Sequence, residues 1–179
     1  MSRISIPSVE TSPVASQPLL AAVNQQLGMV PNLMKLVGNS PAALEGYLSL
    51  SGALAKGSLS AQLRERIALT VAEYNGCDYC LAAHAYLGKN LAKLSDGDID
   101  AARGAQAADT KTHAALQFAR QVAEQRGRVS DTELANLRAA GFDDAAVIEI
   151  VLNVALNVLT NYVNNVAHTD VDFPKVNPR

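Results

Sequence analysis

From Gln17 onward the sequence is a succession of segments with apolar residues at helical spacing, most of them opened by a capping residue or proline and closed near a glycine. No stretch of useful length alternates apolar and polar residues as a half-buried strand would. This pattern predicts an all-α chain, a single-domain helical bundle. Apolar residues make up 49% of the 179 residues but aromatics only 4%, with no Trp, so Ala, Leu and Val must fill the core. Small aliphatic side chains of that kind suit close packing of helix on helix.

In chain order, residues 1 to about 15 carry Ser, Thr, Pro7 and Pro13 and read as an extended, partner-clasping arm, with the helical domain proper at 16–179. Leu19, Leu20, Val23 and Leu27 mark a helix that Gly28 stops. Pro31 sits at an expected first helical position, and Gly38 closes that short segment. Ser40 caps the next helix, with Pro41 inside it. Ser60 opens a helix running to the stop pair Asn75-Gly76, and another begins near Cys77-Asp78 and reaches Gly88. Ser95, Asp109, Ser130 (a capping box with Glu133) and Asp143 or Asp144 start the remaining helices; the last is long and ends at about His168 before an irregular tail.

The formal charge of -2, with fifteen basic residues scattered along the chain, gives no electrostatic case for nucleic acid or anionic membrane. The start lacks the apolar run of a secretory signal. The longest apolar region, Val147 to Val166, is interrupted by Glu149 and by Asn153, Asn157, Asn161, Asn164 and Asn165, which argues against a membrane span. A soluble, cytoplasmic protein is expected.

The redox core is expected at 60–90. Both cysteines of the chain stand there as Cys77-Asp78-Tyr79-Cys80, with His84 one turn on. In a reducing compartment C-x-x-C spacing reads as redox chemistry or metal binding rather than as a structural staple. At ~100° per residue Cys77, Cys80 and His84 share a helix face. An imidazole within hydrogen-bond or one-water reach of Cys80 can take its proton, and the thiolate is the nucleophile. Cys77, nearer the helix start, is favoured as thiolate by the dipole. These two arguments oppose each other, and spacing does not choose between them. Glu65, on the preceding helix beside Ala68, Leu69 and Ala72, is off the polar stripe of Gln62, Arg66, Thr70 and Glu73. A half-buried carboxylate there either pairs with a cation or moves protons.

Zinc held by Cys77, Cys80, His84 and Glu65 is a weaker reading, because structural zinc draws on two separated ligand pairs. No metal or bound cofactor is expected. A thioredoxin-like domain would need βαβ context that this chain lacks. His113 reads as a surface residue, and His168 as a cap on the C-terminal dipole of the long helix. The amides of Asn153, Asn157 and Asn161 share one face and need partners, either in a pocket or, as the preferred expectation, at a subunit interface.

The string from Glu65 to His84, with its E-x(11)-C-x-x-C-x-x-x-H spacing, resembles alkylhydroperoxidase D and the wider carboxymuconolactone decarboxylase superfamily. Gly28-Met29-Val30-Pro31-Asn32, Ser40-Pro41, Leu59-Ser60 with Arg64-Glu65, and the ending Val166 to Pro174 look like its peroxidase-related branch, so the resemblance covers nearly the whole chain. It implies a helical fold assembled as a homotrimer or homohexamer and a peroxidase acting on organic hydroperoxides, the activity of antioxidant peroxiredoxins. By resemblance, Cys80 attacks the peroxide, Cys77 resolves the sulfenic acid to a disulfide, His84 activates Cys80, and Glu65 completes a proton relay. The implied reductant is an external dithiol, of the dihydrolipoyl kind carried by a partner protein. The family has a histidine between its cysteines where this chain has Tyr79, which shortens the relay. The decarboxylase branch generally lacks the cysteine pair, so Cys77 and Cys80 speak against lactone decarboxylation. A disulfide reductase or redox sensor using the same dithiol is the remaining alternative.

Overall fold

The computed structural model describes residues 2–176; Met1 and the last three residues of the tail lie outside them. Among the described residues there is no strand. After a 3-10 turn at Val14–Ser16 come α1 (Gln17–Leu27), α2 (Asn32–Val37), α3 (Pro41–Leu54), α4 (Ala61–Tyr74) and α5 (Asp78–Asn90). They are followed by α6 (Asp96–Arg103), α7 (Thr110–Glu124), α8 (Asp131–Ala139) and α9 (Asp144–Ala167). The all-α class is the one observed.

The helix starts follow their capping residues. Ser40, Ser60, Ser95, Asp109, Ser130 and Asp143 each accept a hydrogen bond from a backbone N–H of the first turn. Each such bond satisfies a donor that the helix itself leaves unpaired, at about 1 kcal/mol per cap. Two boundaries differ from expectation. Pro31 is the residue before α2 rather than its first, because its ψ of 148° is extended. Gly88 does not stop α5, which continues to Asn90. A Cβ on Gly88 would lie 3.2 Å from Leu94 Cδ1, so this glycine serves close packing inside a helix.

α4 is the central element, packed against α5, α6, α7 and α9. Ile67, Leu69 and Val71 on it are completely buried, each contributing roughly 1.5–3 kcal/mol of transfer free energy. Its polar stripe meets α6: Arg66 pairs with Asp98 at 2.8 Å, Arg103 with Glu73 at 2.6 Å, and Thr70 Oγ1 donates to the Ala102 carbonyl at 2.7 Å. The arm lies on its own chain. Arg3 N–H donates to the Ala167 carbonyl at 2.7 Å, and Asn39 donates to the Ser5 carbonyl at 2.8 Å.

By length and composition α9 would suffice to cross a membrane. Its inner face, however, carries the buried amides Asn153, Asn157, Asn161 and Asn164. On the opposite face Ile148, Leu152, Ala155, Leu159, Tyr162 and Val166 are exposed, alternating in steps of four and three.

Candidate active site

The dithiol is placed by the turn between α4 and α5. Gly76 adopts φ 58°, a left-handed conformation that glycine reaches without a Cβ penalty. The Gly76 N–H then bonds the Glu73 carbonyl and the Cys77 N–H the Ala72 carbonyl, the paired bonds of a Schellman helix ending. This leaves Cys77 as the capping residue of α5, with its Sγ accepting the Cys80 N–H at 3.3 Å. Both cysteines are free thiols; Cys77 is 0% exposed and Cys80 2%.

Their chemistry differs. Cys80 is held below the usual thiol range, at about 7, first by the hydrogen bond from the Cys77 thiol, then, against the cost of burial, by the charge of His84 and by donors from Asn164 and Asn161. Cys77 is pushed upward because its proton is held on Cys80, with burial adding to the effect. The helix-start argument for Cys77 therefore loses to the neighbours of Cys80. Asn164 Nδ2 donates directly to Cys80 Sγ at 3.2 Å.

Glu65 and His84 come together from successive helices. His84 Nδ1 and Glu65 Oε2 are 2.9 Å apart, with both side chains 23% exposed. Burial works against the imidazolium, but the carboxylate of Glu65 and the negative charge of Cys80 outweigh it, and the His84 pKa lies above its ordinary value. Cys80 feels His84 through charge; no hydrogen bond joins the two directly among the described residues. Glu65, His84 and Cys80 thus lie in succession on the cavity wall, hydrogen-bonded at the first step and linked through charge at the second.

Cys80, His84 and Glu65 all line one cavity of about 370 Å³, enclosed largely by apolar side chains of α1 to α5. Asn153 and Asn157 reach its wall, and Tyr47 shares it. Burial, together with the negative charges of Cys80 and Glu65, raises the Tyr47 phenol to about 12, which keeps it a donor. Cys77 lines neither this cavity nor the one of about 420 Å³ between Asp78 and His168. The amide row on α9 therefore faces inward, where an interface was expected. Asn153 and Asn157 donate to the carbonyls of Glu149 and Asn153, each at 2.8 Å, and Asn161 accepts from Asn75 at 2.8 Å. Donating to the preceding turn is what lets amides sit on a buried helix face.

Tyr79 points away from the relay. Its hydroxyl donates to Asp172 at 2.8 Å and accepts the Leu33 N–H at 3.1 Å, and its ring meets Phe173 edge-on at 5.9 Å. His113 is half-buried on α7 and does not line the dithiol cavity, while His168 caps α9 with φ 49°. Among the described residues no group of three or more His, Cys, Asp or Glu gathers to hold a metal ion.

Residues 41–125, the stretch from α3 through α7 that carries the dithiol, match the model of the carboxymuconolactone decarboxylase family. That stretch of the chain is similar to the carboxymuconolactone decarboxylase family. Solved structures share the fold across almost the entire chain. A peroxidase-related protein with an alkylhydroperoxidase D core from Ralstonia eutropha is 23% identical, with a TM-score of 0.85 over 96% of this chain and 92% of that one. A peroxidase-related protein from Silicibacter sp. is 23% identical, with a TM-score of 0.83 over 94% and 91%. A debrominase, solved as a cysteine-to-alanine variant with 2,3,4-tribromopyrrole, is 19% identical, with a TM-score of 0.77 over 94% of each chain. No curated protein sequence matches the chain. Peroxidase-related proteins and a debrominase are thus among the proteins that share this fold.

Proposed function

We propose that the protein is a thiol peroxidase reducing organic hydroperoxides. The observation that carries this reading is the asymmetry of the dithiol. A thiol with a lowered pKa, Cys80, lies on a cavity wall, and a fully buried partner, Cys77, rests against its amide. Cys80 thiolate attacks the terminal hydroperoxide oxygen; the O–O bond breaks, the alkoxide takes a proton passed on by His84, and Cys80 becomes a sulfenic acid. Cys77 then attacks the Cys80 sulfur, a disulfide forms, and the sulfenic hydroxyl leaves as water. Glu65 holds His84 oriented and charged for the first step. A dithiol from outside, slender as a dihydrolipoyl arm, restores both thiols and is itself oxidised to a disulfide. The cytoplasm, which keeps such thiols reduced, is the setting this cycle requires.

The exposed row on α9 supports a homo-oligomer. Ile148, Leu152, Ala155, Leu159, Tyr162 and Val166 follow one another in steps of four and three, an apolar stripe along one face of the helix that another helix can cover. The occupant we assign is α9 of a second copy.

One equivalent of cumene hydroperoxide should lower the protein mass by two hydrogens, and Cys77→Ser should stop at a sulfenic acid that dimedone captures. Full peroxide consumption by Cys80→Ser would overturn the assignment. The debrominase of the same fold favours one second reading, in which the dithiol delivers two electrons to a carbon–bromine bond and releases bromide. Bromide release from 2,3,4-tribromopyrrole without hydroperoxide turnover would select it.

A further inference from the structure

The cavity has a cation that the peroxide chemistry does not use. Among its lining residues Glu65 and His84 are bonded to each other, which leaves Arg64 as the other charged side chain on the wall. Arg64 is half-buried and anchored: its Nη1 donates to the Leu59 carbonyl at 2.5 Å. That loop is itself fixed by Glu149, whose carboxylate accepts the N–H groups of Ser58 at 2.8 Å and Leu59 at 3.2 Å. No carboxylate pairs with Arg64 among the described residues. The guanidinium fork carries five donors in a plane and one is spent on Leu59, so donors matched to a carboxylate remain. A half-buried cation beside apolar walls is costly until an anion meets it.

The rest of the wall is greasy. Val23, Leu27, Met34, Leu48, Leu54 and Leu87 line the space, at the lower end of the range for small-molecule sites. We infer that the cavity selects amphipathic acids, with an apolar chain against these residues, a carboxylate on Arg64, and the hydroperoxide group at Cys80. The selected substrate class is the hydroperoxide of a fatty acid or a similar aliphatic acid. Arg64 is a specificity-determining residue, and this inference deepens the peroxidase reading, on which its hydroperoxide part rests.

The test compares linoleic acid hydroperoxide with its methyl ester, below their aggregation concentrations, in stopped-flow oxidation of Cys80. The acid should react faster by roughly tenfold, the worth of one charge-assisted bidentate contact. The ratio should fall to near one in Arg64→Gln and be partly kept in Arg64→Lys. Equal rates for acid and ester in the native protein would overturn the inference, even with cumene hydroperoxide reacting quickly and the peroxidase reading intact. Binding supplies a readout free of that chemistry: Cys80→Ser protein should bind dodecanoate about tenfold more tightly than dodecanol by calorimetry, with the preference lost in Arg64→Gln. If no hydroperoxide oxidises Cys80 but this preference holds, the peroxidase reading falls and the carboxylate site stands. Equal binding of acid and alcohol sinks the carboxylate site.

Discussion

The pKa of the Cys80 thiol is lowered by two groups within one helical turn, the Cys77 thiol and the charge of His84, and by one that is distant in sequence, the amide of Asn164. Alkylation of the reduced protein by iodoacetamide should therefore rise with pH with a midpoint near 7, and peptide mapping should find the label on Cys80 and not on Cys77. The sign is that of a depressed acid: the thiolate is present above the midpoint and lost as pH falls through it. Glu65→Gln removes the carboxylate that raises the His84 pKa, so the Cys80 midpoint should move upward and, in the proposed cycle, the peroxide rate at neutral pH fall by roughly a hundredfold. A rate and midpoint equal to the native protein's would remove Glu65 from the relay. His84 was legible because an i,i+4 neighbour on a helix is close by construction. Glu65 gained its place from the family spacing. Asn164 was not legible as a partner of Cys80. Its four-residue rhythm with Asn157 and Asn161 was visible in the sequence, but the register of α9 against α5 is a tertiary fact.

At the scale of elements, Tyr79 ties α5 to α2 and to the tail through Leu33 and Asp172. Burial, with the charge of Asp172 adding, keeps its phenol protonated far above the ordinary range. Tyr79→Phe leaves a buried N–H and a carboxylate oxygen without this partner, and urea unfolding should show a loss of about 1–3 kcal/mol. An unchanged midpoint would mean that water replaces the hydroxyl at no cost. The helices themselves were readable where a cap is local chemistry, as at Ser60 and Ser130. They were misjudged where a residue answers to a neighbour: Gly88 is small for Leu94, not for a turn. The polar stripe of α4 was visible, whereas its burial beneath α6 through Thr70 and Ala102 was not.

For the whole molecule, the outward row on α9 is the surface proposed to meet a second copy. Replacing Leu152 and Leu159 together with Glu places charges on that seam and should yield monomers by sedimentation at concentrations where the native chain associates. An unchanged sedimentation coefficient would move the interface elsewhere. Of the two cysteines Cys80 lies on the wall of the dithiol cavity, and Cys77 is buried behind it. In the proposed cycle hydroperoxide and reductant then use the same entrance in alternation, and each shuts the other out. Steady-state turnover should show the parallel lines of a ping-pong cycle at low reductant, turning upward at high reductant as the reduced protein is occupied by the wrong co-substrate.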